Sequence, residues 1–294
     1  MSGARAVVFS SNAEAVVATT DVGSKQVVLF WETNTVVTEG ETMKGKYELF
    51  GLLLVLCLIT VCPQLVSAGR RPDAGLPDAS MVANESSPFK YLLYAPQNDA
   101  GDNLPLVVYL PGGSGKGDDL NLLLDNDGFP KYLAQGLLGD IPAYILIPQL
   151  PTDKRGWADM QTSIHELIES VCNNHNIDVD RISLTGHSMG GTGTWALAVA
   201  YPDLFSCIAP LSGSVRLSEA AVRALADTPV WAFVGSADSI VDPLPSVRFI
   251  ERLRLTNPEA RITVLDRAGH FVLPRLVYLD RSVDLISWLI SQSK

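Results

Sequence analysis

The chain has 294 residues, 47% of them apolar, enough for a large folded domain that needs no disulfide or metal to hold it together. Lys and Arg total 22 against 32 Asp and Glu, a formal charge of −10, and no Lys/Arg-rich run occurs along the sequence. Nucleic acid, which demands cationic contacts to phosphate, is therefore not an expected partner.

Residues 43–68 have the layout of a secretory signal. Lys44 and Lys46 give a positive start, Leu49 to Cys62 form an apolar centre, and Val66-Ser67-Ala68 is a small-residue cleavage site before Gly69. The centre is shorter than the roughly 20 residues needed to cross a bilayer, so secretion is expected rather than a stable membrane span. A buried helix of the folded domain is the alternative. Residues 1–42 lie upstream of this signal, show no sustained helical period, and are read as a non-native or disordered extension. After cleavage Cys172 and Cys207 remain. An oxidising compartment permits a disulfide between them, but two free thiols are the expectation, and no zinc-type spacing occurs.

Residues 69–88, with Pro72 and Pro77, read as a tether, and the folded domain of residues 89–294 starts near Phe89. From there short apolar runs read as buried strands: Tyr91 to Tyr94, Leu106 to Leu110, Tyr144 to Ile147, Ile182 to Thr185, Cys207 to Leu211, Val230 to Val234 and Ile262 to Leu265. Helical spacing recurs between them, as in Met160, Ile164, Leu167, Ile168 and Val171, in Val247, Ile250 and Leu253, and in Val283, Ile286 and Leu289. Wholly apolar strands alternating with helices predict an α/β domain, a mainly parallel sheet covered on both faces. Chemistry in such a sheet gathers beyond the carboxyl ends of the strands.

The strand ending at Thr185 runs into Gly186-His187-Ser188-Met189-Gly190 and then into a helix from Thr192 to Tyr201, the strand, tight turn and helix of a nucleophile elbow. Serine attacks an acyl carbon only when a positioned base takes its proton, and on this scaffold the acid and then the histidine follow the serine in sequence. Of the four histidines, His165 and His175 precede Ser188 and His187 lies inside the elbow with its side chain pointing away from its neighbour's. His270, in a loop after the strand Ile262 to Leu265, remains. The acid belongs on a loop between Ser188 and His270, where Asp238 fits best. Asp242 is an alternative that could instead cap the helix starting near Pro243, and Asp266 sits at the end of its own strand.

Acyl transfer also needs donors aimed at the developing oxyanion. The backbone amides of Met189 and Gly113 are assigned to that task, with Ser114 as the alternative in the loop Pro111-Gly112-Gly113-Ser114-Gly115. A phosphate-cradling reading of this loop fails on spacing: no glycine lies five residues before Gly115, Gly117 stands where a Ser or Thr is required, and residue 118 is Asp. Trp157 is open to two readings, a cleft wall or an ordinary partly buried tryptophan.

With these residues in place, the sequence resembles the secreted α/β-hydrolases grouped with polyhydroxybutyrate depolymerases, feruloyl esterases and predicted peptidases. The resemblance runs from Leu104 to His270, through Pro105 to Asp119, Ile147-Pro148-Gln149, Val179 to Gly191 with Gly193-Thr194-Trp195, and Gly235 to Asp238. It implies a single α/β-hydrolase domain and a triad of Ser188, Asp238 and His270; between Gly213 and Ser218 there is no room for a large helical cap, so an open cleft is expected. The chain departs from the family where His-Gly is usual and Pro111-Gly112 stands. The expected activity is two-step hydrolysis of a small or polymer-attached ester through an acyl-enzyme, with no cofactor and no metal. A peptidase or an intracellular thioesterase on the same fold, or an inactive binding protein, are the alternatives.

Overall fold

The computed structural model describes residues 81–85, 90–96 and 103–294 in full, together with the backbone of four short strands nearer the N-terminus. The chain divides into two units, Met1–Pro72 and Asp73–Lys294. In the first, β1 (Val16–Val22) pairs antiparallel with β2 (Lys25–Trp31), and β3 (Val37–Thr38) pairs antiparallel with β4 (Glu41–Thr42). The signal-like segment 43–68 lies outside the described residues.

The second unit is built on an eight-stranded sheet in the order β12-β11-β10-β9-β7-β8-β6-β5. Its strands are β5 (Met81–Asn84), β6 (Tyr91–Tyr94), β7 (Leu104–Leu110), β8 (Tyr144–Pro148), β9 (Ile177–His187), β10 (Cys207–Leu211), β11 (Trp231–Gly235) and β12 (Arg261–Leu265). β7 to β12 run parallel, and β6 is antiparallel to both β8 and β5. The sheet thus begins upstream of Phe89, inside the stretch read as a tether. Met81–Asn84 is an edge strand, paired on one side only and with Val82 open to solvent, so it lacks the continuous apolar run that marks the inner strands.

The helices are α1 (Asn121–Asn126), α2 (Gly128–Ala134), α3 (Gln161–Asn174), α4 (Met189–Ala200), α5 (Glu219–Ala224), α6 (Leu244–Leu253), α7 (Leu273–Tyr278) and α8 (Leu285–Ser291). Successive strand side chains point to opposite faces, so each inner strand feeds two cores at once. On one face Leu106, Val108 and Leu110 of β7 join Ile182 and Leu184 of β9, packed against α3, α4 and α6. On the other, Val107 and Tyr109 join Ile145, Ala209 and Phe233, covered by α1, α2, α7 and α8. Both faces of the parallel strands are therefore dry, which accounts for their apolar runs. Helix α3 turns Ile164, Leu167, Ile168 and Val171 inward, the i, i+3, i+4, i+7 stripe visible in the sequence.

Beyond Leu211 the chain reaches α5 within a few residues, with the Ser218 hydroxyl accepting the Ala221 amide at 3.2 Å as a helix cap. No cap domain is inserted there. Cys172 and Cys207 are both free. No helix among the described residues is long and apolar enough to cross a membrane.

Candidate active site

Four loops converge at the carboxyl ends of parallel strands. Ser188 follows β9, residues 111–119 follow β7, Asp238 follows β11 and His270 follows β12. Ser188 has φ 60° and ψ −117°, a left-handed conformation that a non-glycine residue adopts only when its surroundings hold it there, at a cost of about 1–3 kcal/mol. What holds it is close packing. The Ser188 amide donates to the Leu211 carbonyl at 2.9 Å, and a Cβ on Gly190 would lie 1.7 Å from the Leu110 carbonyl oxygen. Only glycine lets α4 start this close to β7.

The acid and histidine loops are stitched to each other. The Ser236 amide donates to Leu265 at 2.9 Å, the Ala237 amide to Ala268 at 3.1 Å, and the Arg267 amide to the Ser236 hydroxyl at 2.7 Å. A Cβ on Gly235 would lie 2.2 Å from the Ala268 carbonyl oxygen, so glycine at 235 permits that approach.

The loops bring three side chains into line. His270 Nε2 is 2.8 Å from Ser188 Oγ, and its Nδ1 is 2.8 Å from Asp238 Oδ2. The His270 and Asp238 side chains are only 4% and 1% exposed. The other carboxylate oxygen of Asp238 accepts the amides of Ile240 and Val241, each at 2.9 Å. Burial would raise this carboxyl, but the Val241 amide, His270 and the Ile240 amide together outweigh it and hold Asp238 below the usual carboxylate range. Asp242 is elsewhere, accepting the Leu244 amide at 2.9 Å at the start of α6, and Asp266 is an exposed partner of Ser236 and Arg267.

Gly113 opens a 3-10 turn, Gly113–Gly115, beside the first residue of α4. Its Cβ position is 3.7 Å from Met189 Cε, and that of Gly112 is 3.7 Å from Ser188 Cβ. Gly113 thus lies against the side chain of Met189, the other residue whose amide the sequence assigns to the oxyanion. Among the described residues no group of three or more His, Cys, Asp and Glu is placed to hold a metal ion.

The same architecture recurs in known proteins. A family model described as a putative esterase matches residues 151–252. A solved thermostable esterase superposes with TM-score 0.64 at 23% identity, over 74% of this chain and 64% of that one. The chain has the α/β-hydrolase fold. The feruloyl esterase module of Clostridium thermocellum, solved with sinapinate, superposes with TM-score 0.54 at 17% identity, over 71% of this chain and 90% of that one. Poly(3-hydroxyalkanoate) depolymerase C of Paucimonas lemoignei is 39% identical over 51 residues, 17% of this chain and 12% of the depolymerase.

Around this site, several side chains carry roles that the sequence did not reveal. Trp157 is 1% exposed and donates from Nε1 to the Pro111 carbonyl at 2.9 Å, so it supports the 111–119 loop from beneath and does not line a cleft. Gln149 donates to the carbonyls of Gly115 at 3.0 Å and Asp119 at 2.7 Å. Asp127, at the start of α2, accepts the Gly112 amide at 2.7 Å and the Tyr109 hydroxyl. The His187 ring packs at a tilt against that of His270, with centroids 4.6 Å apart. Burial and the neighbouring His270 hold the His187 imidazole down to about 4, so its neutral ring donates Nε2–H to the His270 carbonyl at 3.0 Å.

Proposed function

We propose that the chain hydrolyses carboxylic esters, with Ser188 as nucleophile, His270 as general base and acid, and Asp238 as the group that orients His270. The observation that carries this reading is the unbroken run from Ser188 Oγ through both ring nitrogens of His270 to Asp238, with both contacts at 2.8 Å. Nδ1–H donates to Asp238, which leaves the Nε2 lone pair for the serine proton. Attack on the ester carbonyl gives a tetrahedral oxyanion received by the amides of Met189 and Gly113. Proton return from His270 releases the alcohol, and water activated by the same imidazole then cleaves the acyl-serine.

Two features favour a bulky apolar ester. Among the described residues no cap is inserted after β10, and Phe271, Val272 and Ile240, close to His270 and Asp238 in sequence, are exposed at 82%, 50% and 61%. Such a rim suits a hydrophobic acyl group or a polymer-attached ester. Export through the 43–68 segment is part of the proposal and rests on the sequence alone. Mass spectrometry of the product released by an expressing cell tests it, with an N-terminus at Gly69 expected.

The deciding experiment for the chemistry pairs a fluorophosphonate probe with p-nitrophenyl ester turnover. Wild type is expected to be labelled at Ser188, and Ser188→Ala to lose labelling and about a million-fold in kcat. Full activity in that variant rejects the assignment.

A further inference from the structure

We propose that Asp127 is a positioning residue for oxyanion stabilisation: its buried carboxylate fixes the peptide unit next to Gly113 and so aims the Gly113 amide. The inference rests on the serine esterase reading above.

The geometry is that of one peptide plane held at both ends. A trans peptide points its carbonyl and its N–H in opposite directions. In the unit joining Pro111 to Gly112, the carbonyl accepts from Trp157 Nε1 at 2.9 Å and the N–H donates to Asp127 at 2.7 Å. That plane cannot rotate without breaking a buried hydrogen bond. In the next unit, the Gly112 carbonyl accepts the Gly115 amide at 3.2 Å, which directs the Gly113 N–H the opposite way. Gly112 and Gly113 have no side chains to pack, so these bonds supply the rigidity that such a flexible pair lacks. An oxyanion donor is effective only when fixed before the charge develops.

The partners of Asp127 show which protonation state does this. The Gly112 amide, the Tyr109 hydroxyl and the Gly128 amide all donate to it, so the carboxylate is the form the pocket fits. At 3% exposure burial works the other way, and the carboxyl is pushed up to about 6. The titratable groups around it are the phenols of Tyr109 on β7, Tyr132 on α2 and Tyr278 on α7, each raised by burial and so neutral at that pH. Its hydrogen-bond partners do not include Ser188, His270 or Asp238, which separates its role from proton transfer.

The test uses Asp127→Asn and Tyr109→Phe in the full chain. Asp127→Asn is expected to lower kcat for a p-nitrophenyl ester by about 10- to 100-fold with KM nearly unchanged, less than the loss of a whole oxyanion donor. Tyr109→Phe keeps the carboxylate at Gly112 but removes a donor that favours the anion, so the acid limb of kcat/KM is expected to move to higher pH. In wild type, the Gly112 amide resonance should titrate with Asp127, a measurement that needs no variant. Folded Asp127→Asn with wild-type kcat, an unmoved acid limb in Tyr109→Phe, or a Gly112 resonance that does not titrate with Asp127, overturns the proposal. If Asp127→Asn does not fold, the Tyr109→Phe profile and the Gly112 titration decide. Wild type unreactive to fluorophosphonate would overturn the esterase reading itself, whereas labelled wild type with unaltered Asp127→Asn overturns only the role of Asp127.

Discussion

His187 is bonded to the His270 carbonyl and Asp127 to the Gly112 amide, and their ionisation equilibria are displaced in senses that oppose one another: the imidazole is held down to about 4 and the carboxyl is pushed up to about 6. Below pH 6.5 the unfolded chain protonates His187 while the folded chain does not, so its contribution to stability is present above that pH and lost as pH falls towards 4. Asp127 does the reverse. Its contribution is present below 3.8 and lost as pH rises through 6, because the folded chain then has to bury an anion. Each shift corresponds to about 3 kcal/mol, so the two largely cancel between pH 4 and 6. His187→Gln should therefore lose about 3 kcal/mol less than wild type on acidification from pH 6.5 to 4, and Asp127→Asn about 3 kcal/mol less on raising the pH from 4 to 6, read by urea unfolding at each pH. Parallel curves for all three proteins would contradict this.

The three acids weighed as partners of the histidine give a sharper contrast. Asp238→Asn should leave the fold intact and lower kcat by about 10,000-fold, since the amide no longer selects the His270 tautomer that accepts the serine proton. Asp242→Asn, at the start of α6, and Asp266→Asn, on the surface, should stay within about twofold of wild type, as neither touches the imidazole. Steady-state kinetics on one ester distinguishes the three.

Gly190 sets a limit on the elbow. With its Cβ position 1.7 Å from a backbone oxygen of β7, Gly190→Ala must push α4 away from the sheet. We expect a loss of more than about 3 kcal/mol, beyond ordinary overpacking because backbone has to yield, with weak soluble expression as the readout.

Phe271 offers the opposite case. It is 82% exposed, so Phe271→Ala should change stability by less than about 0.5 kcal/mol. Its ring is 5.3 Å from that of His270. KM for a long-chain or aromatic ester should rise several-fold while turnover of p-nitrophenyl acetate stays level. Equal KM values for both substrates would remove Phe271 from the binding rim.

The inner strands and the elbow were legible because each is a local pattern: apolar runs bounded by turns, and glycines two residues either side of a serine. The order of serine, acid and histidine followed from the same scaffold. Asp127 was not legible, since a carboxylate in the polar run Asp125 to Gly128 looks solvated, and its burial against the Tyr109 hydroxyl and the Gly112 amide comes from partners 18 and 15 positions away in sequence. The sequence set His187 aside as the base, and Ser188 does pair with His270 instead, but strand alternation says nothing of the loop from residue 270 that meets the His187 ring. Trp157 was ambiguous for a similar reason, its indole finding a carbonyl 46 positions away in sequence.

The edge strand Met81–Asn84 also bears on how the protein can be handled. It covers the outer ladder of Tyr91–Tyr94. An expression fragment begun at Phe89 would strip that cover and leave a row of bare amides and carbonyls, an invitation to pair with another molecule. Such a fragment should keep its serine site and yet self-associate, so the short stretch before Phe89 is a guard against aggregation as much as a part of the fold.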